Sequence, residues 1–205
     1  IGYRINGKTT YALEGSIFVA GAGVQWLRDK IKFIKKASDT EKIAQSLKSN
    51  NGIYLVPAFT GLGAPYWDAN ARGILSGLTR NTGPKEIIRA TIESVAYQTY
   101  DLFEAMKNDG LKPNLIKVDG GMVQNNWFSQ FLADTINTKV LRPKVNETTA
   151  LGAAFMAGLQ IGVYKSLKDI SKNWQADKSF KPRIKNSERK ILIDGWRKAI
   201  KKTLS

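Results

Sequence analysis

The sequence predicts an α/β fold, for three reasons. Short runs of β-branched and aromatic residues alternate with longer stretches whose apolar residues recur at helical spacing. One stretch, Leu115 to Asn126, reads as a complete unit of strand, glycine turn and helix start. Finally, 205 residues, 42% of them hydrophobic, are enough for one domain, or one domain with an appendage. A domain near this size buries about 70% of its unfolded surface without covalent staples.

Taken in order, the first residues match a familiar pattern in the wrong place. Gly2 to Thr9 has two glycines spaced as in a phosphate-binding loop, followed by Lys8 and Thr9. That pattern carries meaning only between a strand and a helix. Here only Ile1 precedes it, and Thr9, Thr10, Tyr11 and Leu13 continue as strand. Asn6-Gly7 is better read as a two-residue hairpin turn joining Tyr3, Arg4 and Ile5 to Lys8 through Leu13.

Small residues from Glu14 to Gly23 then run into a helix on which Val24, Leu27, Ile31 and Ile34 share a face. Gly21 and Gln25 lie one turn apart and project together. A glycine below a carboxamide makes a flat, uncrowded surface with a polar reader beside it, or else a close helix crossing with Gln25 in water; both readings stand. Ser38 to Ser49 predicts a helix with Ile43 and Leu47 inward, ending at Asn51-Gly52. Ile53 to Phe59 predicts a strand, with Pro57 at its end or edge because it lacks an N–H. The loop from Thr60 to Gly73 is rich in aromatics, and Asp68 with Arg72 is expected to hold it as an ion pair. A strand returns at Gly73 to Leu78, and Gly83-Pro84 opens the longest helix. On that helix Ile88, Ile92, Val95, Leu102 and Met106 mark one buried face. Its Glu93 and Asp101 are eight residues apart, about 12 Å along the axis, too far for one catalytic pair, and read as ordinary helix charges.

In the strand-turn-helix unit, Ile116 and Val118 build the strand, Gly120-Gly121 allow the turn, and Asn125 or Asn126 caps the following helix. With no Cβ at Gly121 a flat ring can lie against the peptide plane. The Asn125 amide can both donate to it and accept from it. Those are the properties of an adenine pocket; the alternative is a tight turn whose glycines only relieve crowding. Lys139 to Pro143 predicts a further strand. Thr148 to Val163 predicts a helix whose Gly152, Ala153, Ala154, Ala157 and Gly158 suit very close packing. Lys165 to Trp174 and Ser187 to Leu204 predict two last helices, the second docking roughly through Ile191, Ile193, Trp196, Ile200 and Leu204.

Composition narrows the chemistry. There is no cysteine and no histidine, which removes disulfides, thiol catalysis, thiolate metal sites and imidazole bases together. A cysteine-free chain is compatible with a reducing cytoplasm, the expected location. Net charge is +15; residues 165–205 hold 13 basic residues against 4 acidic ones, a net +9. That stretch is expected to be lysine-rich, solvated helix packed on the domain, with no nucleic acid as partner. No run of 18 apolar residues is present, so no stable membrane insertion is expected. The chain opens on Ile1, which suggests a piece of a longer protein.

Together these residues resemble the C-terminal domain of the FGGY carbohydrate kinases. Three separated stretches carry the resemblance. Gly73-Ile74-Leu75-Ser76-Gly77-Leu78, followed after a seven-residue spacer by Glu86 to Glu93, is similar to the family's second signature. Val56 to Asp68 looks like the loop of its glycerol-phosphorylating branch. Tyr11 to Trp26, with Val118 to Asn126, resembles the paired adenine-side segments. The resemblance implies an actin-like ATPase (ribonuclease-H-like) domain, a mixed sheet with helices on both faces. It places Gly21, Gln25, Gly121 and Asn125 on the nucleotide as two walls of one slot. It further implies ATP and Mg²⁺ as cofactors, and transfer of the γ-phosphoryl group to glycerol, giving sn-glycerol 3-phosphate. Positioning and charge neutralisation dominate such a transfer. In the family the catalytic aspartate, the glycerol contacts and the phosphate segments lie upstream of the part matched here. Glycerol therefore binds through residues this chain does not contain, the isolated chain is expected to be inactive, and the full-length protein is expected to be a homo-oligomer. Asp119 is expected to order the turn or to face the phosphates. Another polyol or sugar acceptor, or a basic non-catalytic actin-like binding module, remains as an alternative.

Overall fold

The computed structural model describes residues 1–204. The chain begins with a hairpin, β1 (Tyr3–Ile5) and β2 (Lys8–Thr10), in antiparallel register Tyr3 to Thr10 and Ile5 to Lys8. Asn6 and Gly7 both take left-handed φ, 49° and 76°, the pair of conformations a two-residue hairpin turn requires. The phosphate-loop pattern is thereby spent on a hairpin.

Helix α1 (Gly21–Asp29) is shorter than its apolar period suggests. The chain leaves it through Lys32 at φ 59°, and Ile31 and Ile34 follow as irregular backbone. Both still pack with Leu27 and Ile88, so the periodicity reported burial correctly and helix length incorrectly. Helix α2 (Asp39–Gln45) follows, its entry held by the Asp39 carboxylate, which accepts from the Lys35 and Lys36 amides at 3.2 and 2.8 Å. Strands β3 (Tyr54–Val56) and β4 (Ile74–Ser76) pair antiparallel with Leu55 opposite Leu75.

In the loop between them, the expected ion pair of Asp68 with Arg72 does not form. The Asp68 carboxylate accepts instead from the amides of Asn70 and Ala71, at 2.8 and 3.0 Å, and Arg72 donates to the carbonyls of Ala69 and Ala71. Local backbone groups are nearer than the partner side chain and need the bonds as much.

Helix α3 (Pro84–Asn108) is the spine of the core. Tyr97 on it stacks on Trp196 (centroids 5.3 Å apart) and meets Phe131 and Tyr54 at 5.6 and 5.7 Å. Trp196 comes from α7 (Asn186–Thr203) and Phe131 from α4 (Asn126–Ile136). The basic C-terminal segment thus supplies core as well as charge, although Ile191, expected on the docking face, is 70% exposed.

Strand β5 (Leu115–Lys117) runs parallel to β6 (Lys139–Pro143), with α4 as the crossover, and β7 (Ala176–Phe180) pairs antiparallel on the other side of β6. The result is a mixed three-stranded sheet. β7 was not expected: it is polar except at its ends, so it carries no alternation to read. Only α6 (Leu167–Ser171) forms within the helix expected over Lys165 to Trp174. Helix α5 (Thr148–Gln160) has the small residues foreseen but buries only Gly158, against Tyr164; among the described elements none makes an extensive contact with it.

Candidate functional site

Glu93 and Asp101 are far from ordinary helix charges. Glu93 is completely buried; it pairs with Arg89 at 2.6 Å and accepts from Tyr97 and Asn50, each at 3.1 Å. Loss of hydration pushes its carboxyl up, and Arg89 beside it pulls partly back. Asp101 accepts from the Trp196 indole at 2.6 Å and from the Tyr66 hydroxyl at 2.8 Å; burial raises it as well. Their bonds are internal and tie α3 to the loops and to α7. The sequence offered no sign of this, because burial of a charge depends on elements distant along the chain.

The cavity with the features of a ligand site has a volume of about 410 Å³, within the range of small-molecule pockets. One wall is α1, through Gly21, Val24, Gln25 and Arg28. The facing wall is the 3-10 turn Gly121–Gln124 with Asn125. All four residues expected at the site therefore line one space. A third wall went unforeseen: Ala37 and Ser38, with Thr40 and Glu41 of α2, and Ile92 of α3 behind them. No local signal marks these positions, since Thr40 and Glu41 reach the turn across 85 residues of chain.

The glycines of the two walls differ from their neighbours. A Cβ added to Gly21 or Gly121 meets no atom within 4 Å. Neither takes the left-handed φ that demands glycine; in the diglycine it is Gly120 that does, at 87°. The close helix approach considered for Gly21 falls instead at Gly23, where a Cβ would come within 3.0 Å of Thr91 on α3. Relief of crowding and backbone strain thus explain Gly23 and Gly120. What the bare backbones of Gly21 and Gly121 face is the cavity.

The two amides are in different states. Gln25 makes no side-chain hydrogen bond among the described residues, so its whole bonding capacity is available. Asn125 is the N-cap of α4: its Oδ1 accepts from the Phe128 amide at 2.8 Å, and its Nδ2 donates to the Thr40 hydroxyl at 3.2 Å. One amide proton and one lone pair remain for a ligand. Glu41 ties the same corner together, accepting from the backbone and side-chain N–H groups of Asn126, both at 3.1 Å. Arg28 at the rim is exposed and paired with Asp29 at 2.7 Å. Asp119 accepts from the Thr148 hydroxyl at the start of α5, so it joins the glycine turn to the next helix. Among the described residues no three acidic, histidine or cysteine side chains cluster as a metal site.

A sequence profile of the FGGY family of carbohydrate kinases, C-terminal domain, matches residues 3–161. A glycerol kinase of Alteromonas mediterranea is 56% identical over 200 residues, which cover 98% of this chain and 40% of that protein. The crystal structure of Plasmodium falciparum glycerol kinase with ADP superposes with a TM-score of 0.84 at 37% identity, covering 92% of this chain and 38% of that one. A ligand-bound xylulose kinase from Lactobacillus acidophilus gives a TM-score of 0.77 at 27% identity, over 91% and 38%. The chain spans about 40% of the length of the curated relatives it matches, and its fold is the actin-like ATPase fold of these kinases. From profile match, sequence identity and fold alike, the chain belongs to the FGGY family of carbohydrate kinases, matching its C-terminal domain.

Proposed function

We propose that the cavity receives the adenine ring of ATP or ADP, and that the chain is the nucleotide-holding C-terminal part of an ATP-dependent glycerol kinase. One observation carries the reading: Gly21 and Gly121, bare without steric or conformational need, face the same space beside Gln25 and Asn125. A purine has two flat faces for the uncrowded walls and an edge of donors and acceptors for the amides. The ADP bound by the Plasmodium relative supports the same ligand, and identity above 50% to glycerol kinases supports glycerol as the acceptor. When bound, the nucleotide supplies the transferable phosphoryl group. The residues described here hold and orient it and offer no base for the acceptor hydroxyl. Mg²⁺ is the usual companion of a transferring phosphate, but the described residues present no cluster to hold it, and no step is assigned to it. In this reading the whole protein is a cytoplasmic homo-oligomer, and glycerol is held by residues outside this chain.

Calorimetric titration of the 205-residue chain with ADP tests the site; saturable binding lost on filling either glycine is expected. Incubation with ATP, Mg²⁺ and glycerol tests the division of labour. The chain alone is expected to yield no sn-glycerol 3-phosphate, and robust product would overturn that division.

A further inference from the structure

We propose that Arg142, fixed by Asp177, is the positioning residue that holds the glycine turn in its ligand-ready shape. The proposal rests on the nucleotide reading of the cavity for its functional meaning.

A short 3-10 turn leaves its last carbonyls without backbone partners in the turn; here the Ser129 hydroxyl of α4 donates to the Val123 carbonyl at 3.0 Å, and the remaining bonds come from β6. In the turn Gly121–Gln124 those groups face β6. There the Arg142 Nη1 donates to the Val123 carbonyl at 3.0 Å and to the Gln124 carbonyl at 3.2 Å. The other side of the same guanidinium, Nε and Nη2, donates to Asp177 Oδ2 at 2.8 and 2.5 Å. The Arg142 side chain is 10% exposed and that of Asp177 46%, so the carboxylate approaches from the surface and fixes a cation lodged beneath the turn. Only a planar fork can serve two carbonyls and a carboxylate at once; an ammonium group can keep the ion pair but not the span.

Strand β7 reaches the opposite corner as well. Lys178 donates to the Asn126 Oδ1 at 2.9 Å, and Asn126 in turn donates to Glu41 on α2. β7 lies beyond residue 161, where the family profile ends. A segment beyond the end of the profile thus braces the glycine turn through Arg142 and, by way of Asn126, the α2 wall. If the turn were free to move, a ligand would have to order it on binding and would lose affinity accordingly.

The test compares Arg142→Lys and Asp177→Asn with the parent chain by hydrogen exchange without ligand and by ADP titration. Arg142→Lys is expected to keep the melting point within about 2 °C through its retained pairing with Asp177. Amides from Gly121 to Asn125 should exchange faster, those of α3 and α7 should not, and the Kd for ADP should rise about 2- to 30-fold. Asp177→Asn should give the same local pattern from outside the cavity. Parent-like exchange in the turn together with parent-like ADP affinity in Arg142→Lys overturns the proposal. So does faster exchange spread evenly over the core, which would make the pair a general structural brace. If the parent chain binds no ADP, the nucleotide reading falls, and the exchange pattern alone decides whether Arg142 holds the turn.

Discussion

Gly121→Val separates folding from binding. A Cβ at this position meets nothing within 4 Å, and the backbone there has no left-handed φ for a branched side chain to resist. The substituted chain should therefore fold with an unligated melting point close to the parent's. The added methyl groups project into a space of about 410 Å³ between the two glycine walls, where the ring is proposed to lie. For the parent at ADP 100 times its Kd, linkage gives about 2.7 kcal/mol of stabilisation. In a domain of this size that corresponds to roughly 5–11 °C, since each kcal/mol moves the midpoint by about 2–4 °C. If the valine weakens binding 100-fold, the same ADP concentration leaves only about 0.4 kcal/mol, under about 2 °C. Thermal scans with and without ADP read both quantities. A full ADP shift in Gly121→Val refutes the placement of the ring, and a collapse of the unligated melting point refutes the open space. Gly21→Ala sharpens the contrast, because alanine favours the first turn of α1 by up to about 1 kcal/mol; unligated stability should rise while the ADP shift falls.

Asn125→Ala should cost about 0.5–2 kcal/mol of stability through loss of the α4 cap, whereas Asn125→Asp keeps the acceptor for the Phe128 amide. Both should weaken ADP binding in titration, because both remove the donor; equal ADP affinity in Asn125→Asp and parent would exclude the amide as a reader. Asp101 is raised by burial, so the folded chain holds this proton more tightly than the unfolded one. The contribution is fully present below the ordinary carboxylate pKa and is lost as pH rises through the folded value. Asp101→Asn, whose carbonyl can still accept from Trp196 and Tyr66, should therefore lose less stability than the parent between about pH 4 and pH 7 in urea titrations. Asp101→Leu leaves both donors without a partner and should cost about 1–3 kcal/mol for each at every pH in that range. Lys8→Ala should leave ADP affinity unchanged, since Lys8 sits in a hairpin; a large loss would revive the phosphate-loop reading.

Much of this architecture was legible because its causes are local. Asn6-Gly7 dictates a tight turn wherever it falls between strand formers, and Pro84 and Gly110 bracket the long helix; the apolar spacing on α3 picks out Ile88, Ile92 and Val95 correctly, but it misses that Ile88 to Gln98 is buried on every side and that Leu102 and Met106 are only half-buried. Gly21/Gln25 could be singled out because one helical turn determines which side chains project together, whereas Gly121 and Asn125 are brought to one wall by a 3-10 turn and a helix cap. Tertiary structure alone decided what those side chains meet. It brought α2 in as a third wall, made a polar stretch into β7, and replaced the pairing of Asp68 and Arg72 with bonds to nearby backbone. It also enclosed Glu93 and Asp101 in the core and set Arg142 under the turn. Each of these depends on groups that are distant in sequence, or on which local partner the packed loop leaves closest. Periodicity records how a residue faces its own element, whereas the free energy of a charge or a bare glycine depends on the elements that surround it.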